Sequence, residues 1–292
     1  MKLKKHLFYF TSFKILTVLI ICLSACENSN PVYESISIVY HFPNSNYTLI
    51  SKNNPQIKDG LRYGIGDANG KPISEIKYGS WGYTPSTAIH YYGNGIFRVG
   101  LVKDSTIKFG LMDSTGKELT ELKFNYIEHR FSKEGFVAAF VDNGNYGNFS
   151  HFTWFGNGKW GYLDRTGKEV VETKYDAICC FTVRDANAFP EQYGYFFASG
   201  LTFMMLNNKW GFIDTVGNVV ISPLYDYVSS FAYAELSVVA LGEKYGYINT
   251  TGAIVIPIIY DKASPFWNAD GTAWVKLDGK NLKINKQGEI VE

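Results

Sequence analysis

The chain has 292 residues, of which 46% are hydrophobic, 16% aromatic and 19% charged. Its 28 basic and 27 acidic residues nearly balance, which argues against a nucleic-acid-binding protein because phosphate binding needs a clear basic excess on one face. Its four cysteines do not form a disulfide framework, and the length is sufficient for a large buried core.

The first 25 residues have the pattern of an export signal. They contain four lysines and no acidic residue, and their apolar run 15–23 is too short to cross a bilayer as a helix. The segment ends in Leu23-Ser24-Ala25 before Cys26, which resembles the bacterial lipobox, a leucine three residues before a cysteine with small residues between. The resemblance implies cleavage before Cys26 and attachment of a lipid such as palmitate to its thiol. Ordinary secretory cleavage after Ala25 is the alternative.

Residues 26–31 are polar and few, which predicts a flexible tether between the lipid and one folded domain over residues 32–292. The residue after Cys26 is Glu27; an aspartate there favours the inner membrane in proteobacteria, so its absence slightly favours the outer membrane. Without the signal, 24 basic residues face 27 acidic ones, a formal charge of −3. The expected partners therefore include a membrane, through the lipid anchor, and no nucleic acid.

An internal repeat runs through the rest of the chain and is marked by pairs of an aromatic residue and a glycine. The pairs are Tyr63-Gly64, Phe109-Gly110, Trp160-Gly161, Trp210-Gly211 and Tyr245-Gly246. A second glycine follows six residues after each pair, at Gly70, Gly116, Gly167, Gly217 and Gly252. A degenerate sixth copy has Asn281-Leu282 at the pair and Gly288 as the second glycine. A fixed period predicts an architecture of about six short stacked units.

The copy that begins at Lys209 gives the clearest secondary-structure prediction. We expect a strand over Lys209–Asp214, a returning strand over Val219–Tyr225 and a third strand over Leu236–Leu241, because β-branched and aromatic residues dominate these runs. Asp214 and Gly217 between the first two are typical of a type I turn closed by a bulge, since the carboxylate accepts main-chain N–H groups and glycine adopts positive φ. Every copy has Asp or Asn at the first turn position: Asp67, Asp113, Asp164, Asp214, Asn249 and Asn285.

The sequence thus predicts a nearly all-β protein of three-stranded units in tandem. One such unit cannot bury a whole sheet face, so the units must stack and share a core, with the rings of the aromatic-glycine pairs as core residues and the glycines allowing close packing. Two architectures fit, an elongated β-solenoid or a closed, propeller-like ring in which residues 35–40 pair with the last unit.

The segments Lys159–Asp164 and Lys209–Asp214, with the sequences KWGYLD and KWGFID, resemble the bacterial WG repeat family, also called KWG repeats. The resemblance covers residues 62–292. It implies short tandem β units, often on exported proteins, and no common enzymatic activity or cofactor. Tyrosine or phenylalanine replaces the tryptophan in three copies and the last copy lacks the pair, so the terminal units are candidates for caps.

Insertions lengthen the first three repeats. Successive aromatic anchors are 46, 51, 50, 35 and 36 residues apart, and the extra residues lie around 79–95, 142–158 and 184–194. We place all three in the same part of the unit, which predicts projection from one face or edge. Their aromatic and amide content suits carbohydrate or peptide recognition, while packing back on the sheet is the alternative. The candidate ligand-binding residues are Trp81, Tyr83, Tyr91, Tyr92, Trp154 and Tyr193.

Neither a metal site nor a catalytic constellation is predicted. The histidines left after cleavage are far apart in sequence: His41, His90, His129 and His151. Adjacent Cys179 and Cys180 fit opposite faces of a strand, with a vicinal disulfide or a reactive thiol as alternatives. Acidic residues outside the repeat pattern have no spacing that selects a glycosidase pair: Glu128, Glu134, Asp142, Asp185 and Glu191.

The sequence therefore predicts a non-enzymatic lipoprotein of the cell envelope, in which a repeat scaffold binds protein, peptide or glycan. An envelope hydrolase acting on glycans is the alternative function, and it would need two acidic residues facing each other across an aromatic cleft. A passive structural spacer is a third possibility.

Overall fold

The computed structural model describes residues 36–53, 61–79, 88–103, 106–142, 158–178, 197–231 and 235–291. The chain divides into two compact units, Met1–Lys77 and Tyr78–Glu292. These stretches form 21 β-strands in six small antiparallel sheets, so the predicted all-β repeat fold is confirmed. No helix in these described stretches is long and apolar enough to cross a membrane.

The first unit contains one sheet of three strands. They are β1 (Ile36–His41), β2 (Tyr47–Asn53) and β3 (Leu61–Asp67), in the order β1-β2-β3. Ile36 pairs with Lys52, and Tyr47 pairs with Asp67. β1 forms a hairpin with β2, and the closed ring in which residues 35–40 pair with the last unit stays a prediction.

The second unit contains five sheets. The second sheet contains β4 (Ile89–Gly93), β5 (Ile96–Lys103) and β6 (Thr106–Met112). The third contains β7 (Tyr126–Ile127), β8 (Phe136–Val141), β9 (Lys159–Asp164) and β10 (Glu169–Tyr175). The fourth contains β11 (Ala177–Ile178), β12 (Leu201–Leu206), β13 (Lys209–Asp214) and β14 (Val219–Tyr225).

The fifth sheet contains β15 (Tyr227–Val228), β16 (Leu236–Leu241), β17 (Lys244–Asn249) and β18 (Ile254–Tyr260). The sixth contains β19 (Lys262–Ala263), β20 (Ala273–Leu277) and β21 (Lys280–Ile284). Each sheet is an antiparallel meander in chain order. The three strands predicted from residue 209 onwards are β13, β14 and β16 with the predicted bounds, and four of the sheets have a two-residue strand that the sequence did not predict.

Each complete returning strand has a bulge opposite the aromatic-glycine pair. In the fourth sheet Trp210 pairs with Tyr225, whereas Phe212 pairs with Ile221, so four residues of β14 span the same distance as two of β13. The third and fifth sheets have the same irregularity. The bulge bends the outer strand over the glycine.

The shared cores lie between successive sheets of the second unit. One core joins Phe212 and Ile221 of the fourth sheet to Val239 and Ile248 of the fifth, and the next joins the fifth sheet to Val275 of the sixth. Units that cannot bury a face alone thus bury it against their neighbours, as predicted.

Candidate functional site

The aspartate or asparagine that recurs in every copy closes a turn. Asp214 Oδ1 accepts the main-chain N–H of Val216 and of Asn218, both at 2.9 Å. Gly217 has φ +87° and donates its N–H to Asp214 O at 3.2 Å. The other five turns show the same two side-chain bonds, at Asp67, Asp113, Asp164, Asn249 and Asn285. The predicted turn with a left-handed glycine is confirmed, and these carboxylates are structural.

A second repeated contact joins successive sheets of the second unit and was not recognised in the sequence. Lys209 Nζ donates to Asp226 Oδ1 at 2.5 Å, and Asp226 Oδ2 accepts the N–H of Gly242 at 2.9 Å. Asp226 follows β14, whereas Gly242 lies in the turn after β16 of the next sheet. One carboxylate therefore binds residues of both sheets. Pairs of the same 17-residue spacing occur elsewhere: Lys108 with Asn125, Lys159 with Asp176, and Lys244 with Asp261.

The glycine of each aromatic-glycine pair lies under the bulge of the returning strand. A Cβ atom at Gly161 would lie 2.3 Å from Val171 O, and one at Gly211 would lie 2.4 Å from Ile221 O. The close approach predicted for these glycines is therefore confirmed.

The aromatic partners of these glycines are buried to different extents. Trp160 is fully buried, and Tyr63 and Phe109 are nearly so. Trp210 and Tyr245 are only half-buried, while the side chains two positions later, Phe212 and Tyr247, lie in the core of those sheets.

One cluster departs from the repeat, and it lies between the second and third sheets. It contains His90, Tyr92, Arg98, Tyr126, Glu128 and His129, which we call the His–Arg cluster. Arg98 is 3% exposed and donates from Nη1 to Ile127 O at 2.8 Å, with His129 Nδ1 3.0 Å from the same nitrogen. His90 Nε2 lies 3.0 Å from His129 O, and the two imidazole centroids are 5.5 Å apart.

The tyrosines of the His–Arg cluster are bonded inside it. Tyr92 donates its hydroxyl to Glu128 O and packs edge-on against Phe131 with 4.9 Å between ring centroids. Tyr126 donates to Glu128 Oε2 at 2.9 Å. Burial raises the pKa of both tyrosines, with the Glu128 carboxylate adding to the rise.

Burial and the nearby Arg98 guanidinium lower the pKa of His90 to about 4. Burial and the same guanidinium also lower the pKa of His129. A general base is most effective when its pKa lies near the working pH, so His90 is a weak base at neutral pH. The cluster joins two sheets through hydrogen bonds and ring contacts, and its chemistry is that of a buried polar network.

Two of the six candidate ligand-binding residues lie in the described part of the chain. Tyr91 packs on Phe97 with 4.8 Å between ring centroids, and its hydroxyl lies 3.4 Å from the N–H of Gly95. Tyr92 belongs to the His–Arg cluster. The other candidates and cysteines lie outside the described residues: Cys26, Trp81, Tyr83, Trp154, Cys179, Cys180 and Tyr193.

The prediction that all three insertions share one structural position is wrong. The flanking strands place residues 80–87 before β4, residues 143–157 between β8 and β9, and residues 179–196 between β11 and β12. In an antiparallel meander the first two connections leave one end of the sheets and the third leaves the opposite end. Distances between aromatic anchors do not show which connection an insertion lengthens, because several short strands lie between one anchor and the next.

Sequence reasoning also missed the contact between His90 and His129, which are far apart in the chain. A signal existed at Arg98. Arg98 pairs with Leu111 in the second sheet, and the equivalent residues of β8 and β16 are Ala138 and Val238. A charged residue thus replaces an apolar one at a buried position. Within the described ranges no group of three or more histidine, cysteine or acidic side chains could hold a metal ion.

Several solved structures are distantly similar to this chain. A eukaryotic initiation factor matches with a TM-score of 0.38 and 9% identity, over 85% of this chain and 63% of that chain. A chain of a nidogen/laminin complex matches with a TM-score of 0.28 and 6% identity, over 85% and 89%. TolB from Acinetobacter baumannii matches with a TM-score of 0.26 and 12% identity, over 88% and 53%. The chain thus spans less than two thirds of the initiation-factor and TolB chains, and at these TM-scores none of the likenesses bears on function.

No curated protein matches the sequence. The family comparison is specific: the model for the WG containing repeat matches residues 109–146, 160–182, 210–245 and 245–280. The matched segments each contain the turn aspartate or asparagine, the bulge glycine, and the aspartate or asparagine that accepts from a lysine, as described above. The chain therefore contains four WG repeats between residues 109 and 280.

Proposed function

We propose that this protein is a non-enzymatic lipoprotein of the bacterial cell envelope, anchored through Cys26, whose WG repeats are a rigid scaffold that binds protein, peptide or glycan. The observation that carries the proposal is that the polar residues repeated in the copies have structural partners. The turn carboxylate of Asp214 binds main-chain N–H groups, and Asp226 binds Lys209 and Gly242. Residues that serve every copy alike belong to the scaffold.

Recognition is then left to segments that break the repeat. The insertions at 80–87 and 143–157 leave the sheets at the same end, which is also the end of the lysine–aspartate contacts. They supply Trp81, Tyr83 and Trp154, flat side chains suited to stacking on sugar rings or peptide planes. Tyr193 lies in the insertion at the other end, so we expect it to contribute less to the same ligand.

The binding proposal is tested with the mature chain carrying Cys26→Ser, immobilised and exposed to envelope extract and a glycan panel. We expect capture by the wild type and loss of capture when Trp81 and Trp154 are changed to Ala. Trp267→Ala is the matched control, because Trp267 is exposed but lies outside the insertions, and it should leave capture unchanged. Cleavage of a glycan or peptide by the purified chain would contradict the non-enzymatic assignment.

The anchor is tested separately, in cells that express the full chain. Metabolic labelling with a fatty acid should mark the wild-type protein and not the Cys26→Ser variant, which should leave the membrane fraction. A soluble wild-type protein that begins at Cys26 without lipid would instead support ordinary secretory cleavage.

A further inference from the structure

The outer strands of the fourth and fifth sheets expose an uncharged aliphatic surface. Strands β14 and β18 are edge strands in the described part of their sheets. The exposed aliphatic residues on and beside them are between 41% and 67% exposed: Val216, Val219, Val220, Leu224, Ile254, Val255, Ile259, Ile290 and Val291. We call this set the outer stripe. The segments 215–225 and 249–260 contain no charged residue.

The fold does not require this composition, because the same strand of the third sheet is charged. In β10 the residues at the positions of Val219 and Leu224 are Glu169 and Lys174. Glu169 forms an ion pair with Lys123 at 3.4 Å, and Lys174 forms one with Glu172 at 3.1 Å. Charged residues are the usual protection of an edge strand. Their replacement by aliphatic residues in two consecutive copies, at unchanged backbone positions, indicates a surface that is covered.

The outer stripe is continuous from sheet to sheet. The turn glycine of each sheet packs on the outer strand of the preceding sheet: a Cβ atom at Gly252 would lie 3.3 Å from Ile221, and one at Gly288 would lie 3.3 Å from Ile256. A seven-residue strand is about 23 Å long and packed sheets are about 10 Å apart, so the two uncharged outer segments cover roughly 460 Å². The segment of Ile290 and Val291, which also has Lys286 and Glu289, extends this area to roughly 700 Å². A standard interface buries about 800 Å² per partner, so the outer stripe has the extent of an interface core.

The partner does not add a strand to these edges. Pro223 and Pro257 remove main-chain donors in β14 and β18, and the bulges interrupt the regular edge. Both features oppose the open-ended strand pairing that an apolar edge otherwise invites. The contact is therefore made by side chains.

The absence of charge in these two segments indicates which kind of partner covers them. An uncharged aliphatic surface gains nothing from a charged partner, which would lose its hydration without an opposite charge to replace it. The segments 215–225 and 249–260 of another copy carry no charge and have matching chemistry, and a two-fold axis brings one patch onto itself in a closed dimer. We propose that the outer stripe is the interface of a homodimer, with β14 and β18 of one copy packed on those of a second copy of this chain.

The test measures the oligomeric state of the mature chain carrying Cys26→Ser, by sedimentation velocity over about 0.1–100 μM, a range that covers ordinary dimer affinities. The test variant is Leu224→Lys with Ile259→Lys, which copies the lysine that β10 has at this position and therefore suits the strand. Leu241→Lys is the matched control, because Leu241 is equally an exposed aliphatic residue but lies beside the β16–β17 turn, away from the outer stripe. Circular dichroism and thermal unfolding show that each variant is folded.

We expect the wild type to form a species of twice the chain mass. The dimerisation affinity should fall at least about 100-fold in the double variant and stay unchanged in Leu241→Lys. A wild type that is monomeric at the highest concentration overturns it. Equal weakening by Leu241→Lys also overturns it, since the effect would then be one of total charge. If the monomeric wild type floats with vesicles of phosphatidylethanolamine and phosphatidylglycerol and the double variant does not, the outer stripe contacts lipid instead of a second copy.

Discussion

His90 makes the stability of the protein depend on pH. Its Nε2 lies 3.0 Å from His129 O, and burial together with Arg98 lowers its pKa to about 4. In the unfolded chain a histidine titrates near pH 6.5. Between these two values the unfolded state binds a proton that the folded state does not, so the free energy of unfolding falls as the pH falls from about 6.5 to about 4.

The magnitude follows from the difference between the two pKa values. At pH 5 the unfolded imidazole is almost fully protonated and the folded one almost fully neutral, which corresponds to a loss of at most about 2 kcal/mol relative to pH 7.5. Below pH 4 both states are protonated and His90 contributes no further change. The lowered pKa of His129 acts in the same direction.

The assay compares urea unfolding of the wild type and of His90→Gln at pH values between 4.5 and 7.5. Glutamine keeps a neutral donor near His129 O at every pH. The carboxylates titrate in both proteins, so their contributions cancel in the difference between the two free energies of unfolding. We expect the wild type to lose stability relative to the variant by about 1–2 kcal/mol between pH 7.5 and pH 5. A difference that stays constant across this range would refute the reasoning, since His90 would then titrate alike in both states.

Four substitutions test the scaffold, each by urea or thermal unfolding. Gly211→Ala should destabilise by more than about 3 kcal/mol, because its Cβ would lie 2.4 Å from the carbonyl oxygen of Ile221; Gly242→Ala, which meets nothing within 4 Å, should lose only about 1–2 kcal/mol from its positive φ. Asp164→Ala should lose about 1–2 kcal/mol, as it frees the N–H groups of its turn, and a loss below about 0.3 kcal/mol would show that water replaces the carboxylate. Trp160→Ala should cost about 3–5 kcal/mol, because its ring is fully buried, and a smaller effect would mean that the core refills the space.

Local residue patterns were sufficient to predict much of the repeat. The bounds of β13, β14 and β16 follow from the sequence because Asp214 and Gly217 fix one turn and β-branched and aromatic residues dominate the runs beside it. The two-residue strand β15 was not predictable, since a pair such as Tyr227 and Val228 has no local signature and forms only against β16.

Features that depend on neighbouring sheets were not predictable in the same way. His90 and Arg98 meet His129 only because the second sheet packs on the third. The insertions were assigned to one position because spacing was counted from a single anchor, whereas strand pairing decides which connection they lengthen. The lysine–aspartate contact, in contrast, has a constant spacing of 17 residues in the chain and could have been recognised.

The Asp226 carboxylate, which binds residues of two sheets, shows that the sequence repeat and the sheet are different units. A sequence repeat that starts at Lys209 supplies the last two strands of one sheet, β13 and β14, and the first two of the next, β15 and β16. The unit of duplication is therefore offset by half a sheet from the unit of packing, and Asp226 lies near the middle of it. Gene duplication by whole repeats keeps every sheet complete except at the two ends. A single excised repeat has two half-sheets, so we expect that it cannot fold alone and that repeats are gained or lost within an array.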